Sequence, residues 1–158
     1  MGSPRDERRL ALLAMYQIEA REETDLDLIR ATLDDAESLG DEGLAFADPG
    51  SALTAAQRDR AFETARAAYA RRGIADAELG ALSTEWRVER MPAIDRAILR
   101  LAHYEMTATE TPKPRATVHE AVELAKQFST RESPAFVNAL LDRVLKRVLA
   151  GGASAAEG

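Results

Sequence analysis

The sequence predicts an all-α fold, a compact bundle of about seven helices in two packed sub-bundles. Three observations carry that reading. Apolar residues recur at helical spacing through most of the chain. Val, Ile, Thr and aromatic residues never gather in alternating runs, so strands find no support. Alanine is abundant and 18 of the 21 basic residues are arginine, and both are good helix formers. At 158 residues the chain makes one domain, which at this size buries roughly 68–70% of the surface of the open chain. Residues 1–150 are read as that domain, with sub-bundles over 4–86 and 87–149 and a disordered tail over 151–158.

The first helix is expected from Pro4 to Arg21. Ser3 caps it, Pro4 suits the first helical position, and Asp6 completes an S-x-x-D box. From Leu10 to Tyr16 it is apolar almost all round, the mark of a centrally buried element. A second helix is read from Thr24 to about Leu39, with Leu26, Ile29 and Leu33 at helical spacing and Asp25 and Asp27 in its first turn. Residues 40–53 read as a loop. Thr54 and Gln57 box the start of a long helix that turns Phe62, Ala65 and Tyr69 inward and ends near Arg72-Gly73. A shorter helix follows over 74–86. Pro92 opens the next, striped by Ile94, Ala97, Ile98 and Leu101. Pro112-Lys113-Pro114 breaks the chain, and Thr117 with Glu120 boxes a helix carrying Val118, Val122 and Ala125 inward. Ser133-Pro134 caps the last, whose Val137, Leu140, Leu141, Val144, Leu145 and Val148 keep the 3.6-residue period.

With 27 acidic and 21 basic residues the net charge is −6, which excludes a uniformly basic nucleic-acid binder and leaves room for a local basic face. The chain has no cysteine, so disulfides, thiolate catalysis and cysteine-held metals are excluded. No stretch approaches the roughly 20 apolar residues of a membrane helix. The N-terminus is charged from Arg5 to Arg9 without an apolar signal core, and Asp6 stands where myristoylation favours Ser or Thr. The expected compartment is the cytoplasm.

No G-x-S-x-G elbow or phosphate-cradling glycine loop is present. His103 and His119 lack E-x-x-H or H-E-x-x-H spacing and read as packed or surface imidazoles. Carboxylates are scattered over polar faces. No catalytic residue, metal ligand or cofactor is therefore expected, and the chain does not read as an enzyme. The informative feature is the start of the first helix. With Arg5 at 0°, Arg8 falls at about 300° and Arg9 at about 40°, so three guanidiniums share a sector of about 100° while Asp6 and Glu7 lie outside it. Arginine offers a planar, always-charged fork suited to phosphate. The polar turn Ser129 to Pro134 reads as local capping.

Taken together, several segments resemble the NusB transcription antitermination factors. Arg8, Ala11 and Ala14-Met15-Tyr16 look like that family's opening helix, and Ile94-Asp95-Arg96-Ala97-Ile98-Leu99-Arg100 through Met106 like its central helix. Glu120 to Phe128, followed by Phe136-Val137-Asn138-Ala139-Leu140-Leu141-Asp142, looks like its C-terminal signature. The resemblance covers most of residues 5–147, and over 23–85 it rests on helical character and length alone.

The resemblance implies a NusB-like fold and a non-catalytic role. It implies pairing with the small-subunit ribosomal protein NusE, binding of boxA RNA in ribosomal RNA leaders, and entry into an RNA polymerase antitermination complex. It carries RNA contact onto Arg5 and Arg8, with Arg9 a neighbour and Tyr16 a further candidate. The NusE-facing surface carries onto Asp95, Glu132 and Phe136. Two departures stand out: Asp6 and Glu7 interrupt the basic run usual in the family, and His119 replaces the usual Asn. A NusB-like domain also occurs fused to RNA cytosine methyltransferases, and this chain is expected to have no room for a methyl-donor fold. The alternative reading is a helical protein-interaction scaffold or homodimeric module without direct RNA binding.

Overall fold

The computed structural model describes residues 3–21, 25–34 and 53–157. Thr24, the second helix beyond Asp34 and the expected 40–53 loop as far as Ala52 lie outside the described residues. Among those described are seven α-helices, one 3-10 turn and no strand. The helices are α1 (Pro4–Arg21), α2 (Leu26–Thr32), α3 (Ala55–Ala70), α4 (Arg72–Leu82), α5 (Ala93–Thr107), α6 (Pro114–Phe128) and α7 (Ser133–Glu157), with the 3-10 turn at Val88–Arg90.

The chain divides into two compact units, Met1–Tyr69 and Ala70–Gly158. The boundary differs from the 86/87 break read from the sequence because α4 packs on α5 and α7, which makes it part of the second unit.

In the first unit, α1 starts where its capping box places it. Ser3 N–H donates to Asp6 Oδ2 at 3.1 Å and Asp6 N–H donates to Ser3 Oγ at 3.1 Å. Leu10 through Met15 and Ile18 are buried, as an all-round apolar helix requires. Ile29 and Leu33 are buried at α2 and its C-cap. The α3 box forms reciprocally, Thr54 N–H to Gln57 Oε1 at 2.9 Å and Gln57 N–H to Thr54 Oγ1 at 3.1 Å. Phe62, Ala65 and Tyr69 are buried on this helix, as expected. Arginine forks tie the unit together: Arg60 to Glu7 from α3 to α1, and Arg30 to Asp59 and Arg58 to Asp34 between α2 and α3. The hydrogen bond from Arg30, ahead of a smaller opposing effect of burial, holds the Asp34 carboxyl below its ordinary range.

The second unit is a packed set of α5, α6 and α7 with α4 laid against α5 and α7. Its core takes Leu79, Ala97, Ile98, Leu101, Leu124, Val137, Leu140 and Val144. Four positions on the expected inner faces, Ile94, Val122, Leu145 and Val148, are half-buried. The Thr117–Glu120 box does not form. Pro114 already begins α6, so Thr117 lies inside the helix and its hydroxyl donates back to the Lys113 carbonyl at 3.0 Å. The last helix runs on through Gly151 to Glu157, so the expected disordered tail is helical in backbone over 151–157. Its alanines at 153, 155 and 156 favour that continuation.

Gly73 also departs from expectation. Instead of stopping α3 it is the second residue of α4, which restarts after Arg71. Glu78 of α4 forms the main polar tie of this unit. It accepts from both Nε and Nη2 of Arg147 on α7, and from buried His103 Nε2 on α5 at 2.7 Å. Burial alone would raise the Glu78 pKa. The bonds from Arg147 and His103 outweigh it and hold the carboxyl below its ordinary value of 4.5.

Two outcomes follow. A Cβ at Gly73 meets nothing within 4 Å, so Gly73→Ala should raise stability by about 0.5–1 kcal/mol in urea denaturation. A loss of stability would mean that Gly73 ends a helix after all. Because Glu78 is more acidic in the fold than in the open chain, its contribution is complete above its ordinary pKa and is lost as pH falls through the folded-state value. Glu78→Gln should therefore flatten the acid limb of the stability–pH curve below the ordinary carboxyl value of 4.5, and an unchanged limb would contradict the tie.

Candidate functional site

The two surfaces singled out in the sequence lie in separate units. On α1, Arg5 is exposed, Arg8 and Arg9 are half-buried, and Tyr16 is 39% exposed in the midst of buried neighbours. Tyr16 lies eleven positions beyond Arg5, close to three full turns, so both stand on one face about 16 Å apart. A phenol ring and guanidiniums on one rigid rod form a surface able to stack on a base and pair with phosphate.

The acids that interrupt this tract have structural employment. Asp6 is buried, closes the capping box, accepts from the Ser3 hydroxyl at 2.9 Å and pairs through Oδ1 with Arg9 Nη1 at 3.0 Å. Glu7 accepts from Arg60 Nε at 3.0 Å. Asp6 thus draws Arg9 into an internal ion pair, while Glu7 is answered from α3. Arg9 is committed in part to Asp6, and Arg5, Arg8 and Arg9 share the start of α1 as the sequence placed them.

The second surface surrounds the start of α7. Glu132 is exposed and Phe136 half-buried. Phe136 N–H donates to the Glu132 carbonyl at 3.3 Å, which places the two on adjacent turns of one side. Ala135 and Ala139 are exposed beside them, so the aromatic edge is not walled off by bulky side chains.

Asp95 differs from the expectation of a partner-facing charge. It is 2% exposed. Its carboxylate accepts from the Ser129 hydroxyl and, at 2.9 Å, from the Ser133 hydroxyl. The Thr130 hydroxyl donates to Ser133 Oγ at 2.8 Å, and Ser129 Oγ lies 2.9 Å from Ser133 Oγ, so the three hydroxyls cluster around the carboxylate. A buried carboxylate must be met by donors, and here the donors come from the turn between α6 and α7. Ser133 is expected to cap its helix. Its hydroxyl instead joins the Asp95 cluster, and the Glu132 carbonyl accepts the first helical bond. Asp95 is therefore a positioning residue that fixes the turn from which Glu132 and Phe136 project.

The sequence missed this cluster because its members lie on different elements, and the only local signal was the hydroxyl-rich run at 129–133. His103 is buried against Glu78 and His119 is exposed, in line with packed and surface imidazoles. Among the described residues no three His, Asp or Glu side chains gather as a metal-holding group, and no helix is long and apolar enough to cross a membrane.

Asp95→Ala leaves the buried Ser133 hydroxyl and the half-buried Ser129 hydroxyl without their acceptor and should lower stability by about 1–3 kcal/mol. The change should appear as a lower urea midpoint, and an unmoved midpoint would show that the cluster does not hold the turn.

Comparison with known proteins bears on both surfaces. The NusB family model matches residues 5–146. The transcription antitermination protein NusB of Desulforapulum autotrophicum is 33% identical over 152 residues, covering 94% of this chain and 96% of that one. Among solved structures, T. maritima NusB superposes with a TM-score of 0.69 at 27% identity, over 92% of this chain and 93% of that one. A chain from the crystal structure of antitermination factors NusB and NusE in complex with dsRNA superposes with a TM-score of 0.66 over 90% of this chain and 96% of that one; at 18% identity it supports the fold alone. The family model takes in both the arginine-bearing face of α1 and the Asp95-anchored start of α7, and the chain belongs to the NusB family.

Proposed function

We propose that this protein is a non-catalytic adaptor of transcription antitermination. It contacts boxA RNA through α1 and pairs with the ribosomal protein NusE through the start of α7. The observation that carries the reading is the single face of α1 bearing Arg5, Arg8 and Tyr16, with the intervening acids bound elsewhere. The known complex of NusB with NusE and dsRNA supports the pair of partners. In this reading the protein joins an RNA polymerase complex on nascent ribosomal RNA leaders, and its compartment is the cytoplasm. It carries no reaction of its own.

The charge distribution suits the two partners. A chain of net charge −6 attracts a basic ribosomal protein, and Glu132 orients the encounter while Phe136 supplies apolar contact. The arginine face adds a local, salt-sensitive contact with phosphate. Asp95 acts through the turn and touches neither partner.

Replacing Arg5 and Arg8 together by Ala should weaken boxA binding in the presence of NusE. It should reduce the slope of log affinity against log salt by about 0.7 per lost single-strand phosphate contact. An unchanged slope in fluorescence anisotropy would move the RNA site off α1, and absence of any RNA binding would favour the protein-only scaffold. Glu132→Lys should leave stability within about 0.5 kcal/mol while slowing association with NusE. Calorimetry and stopped-flow kinetics check this, and an unaltered association rate would place the interface elsewhere.

A further inference from the structure

We infer that the NusE-pairing surface is not confined to the start of α7. It continues onto the segment that joins α4 to α5, where Trp86 is a second aromatic anchor for NusE beside Phe136. The inference rests on the reading of NusE as the partner of the α7 start and adds a residue which that reading does not use. All the residues concerned lie within the second unit.

Three fixed points locate the 83–92 segment. At its near end, Arg143 Nη1 on α7 donates to the carbonyl of Leu82, the last residue of α4, at 3.1 Å. Side chains on a helix lean toward its N-terminus, so this guanidinium reaches back toward Ala139 and α4 ends beside the early turns of α7. At the far end, Asp95 in the first turn of α5 accepts at 2.9 Å from the hydroxyl of Ser133, the first residue of α7. Between them, Val88 Cγ2 lies 3.6 Å from where a Gly80 Cβ would be, which folds the 3-10 turn back onto the end of α4. The segment thus begins and ends beside the start of α7, at the end of the unit from which Glu132 and Phe136 project.

Trp86 is held close to these points. The Ser83 hydroxyl donates to the Trp86 carbonyl at 2.6 Å and accepts from Trp86 N–H at 3.3 Å. This closed turn keeps the indole near the end of α4 and limits the freedom it would lose on binding. Val88 and Met91 bury the segment's apolar side chains, whereas Trp86 stays 46% exposed. Pro92 and Ala93 are exposed between the segment and Asp95, and Ala135 is exposed beside Phe136. Apolar surface therefore continues from one aromatic toward the other.

The local charge decides which partner this surface fits. Glu85, Arg87, Glu89 and Arg90 are exposed around the indole, and their charges cancel. A surface without net charge offers no general attraction to a phosphate chain. It does suit the apolar centre of a protein interface, where charge is depleted and tryptophan is enriched among the residues that carry the affinity. Trp86 is accordingly assigned to holding the complex together, in contrast to Glu132, which orients the encounter.

The division of labour is measurable. With the full chain immobilised and NusE flowed over it, Trp86→Ala should raise the dissociation rate about tenfold while the association rate stays within about twofold. Trp86→Phe should recover most of that loss. Trp86 is the chain's only tryptophan, so its quenching by acrylamide should fall at saturating NusE, with the Trp86→Phe chain supplying the background emission of NusE.

If NusE binds the wild-type chain, either an unmoved dissociation rate or unchanged quenching overturns the second anchor and leaves the pairing at the start of α7 standing. If NusE does not bind the wild-type chain, both fall. Protection of Trp86 by boxA RNA alone, as complete as that by NusE, would also overturn the inference, making the indole an RNA contact. Should Trp86→Ala lower the urea midpoint, the wild-type quenching decides alone.

Discussion

A carboxylate removed from water has to be surrounded by hydrogen-bond donors, and that requirement organises both surfaces of this protein. Asp95 on α5 gathers the hydroxyls of Ser129 and Ser133, thereby fixing how α6 passes into α7. Asp6 does the corresponding work at the other end of the chain, closing the α1 cap and holding Arg9. In each case an acid that looks like part of a contact surface is structural, and the outward residues beside it depend on it for their placement. Charge-altering substitutions at these acids would disturb the placement of the residues beside them.

Much of this was legible where the chemistry is local. The Ser3–Asp6 and Thr54–Gln57 boxes span three residues each, and both formed as the pattern predicts. The all-round apolar run from Leu10 identified the buried course of α1. The same local rule failed at Thr117 and Glu120 because Pro114, three residues earlier, already supplied a helix start. What could not be read was anything assembled across elements. Asp95 finds Ser129 and Ser133 at separations of 34 and 38 residues, and no periodicity encodes such a meeting.

The arginine-rich composition also takes on a clearer meaning. Arg100 with Asp76, Arg147 with Glu78 and Arg60 with Glu7 are forks that join one helix to another. Counting charges along the sequence therefore overstates how many cations are devoted to nucleic acid and understates how many are cross-braces. The planar guanidinium suits this use better than an ammonium would, because one side chain reaches both carboxylate oxygens in a fixed plane.

Arg58 illustrates the point at the edge of the first unit. It holds Asp34 through Nε and the Leu53 carbonyl through Nη1, at 2.7 and 2.6 Å. Those two residues flank the stretch 35–52, so a single side chain clasps both ends of it. One guanidinium therefore sets the spacing between the end of the α2 segment and the approach to α3, whatever course the chain takes between them.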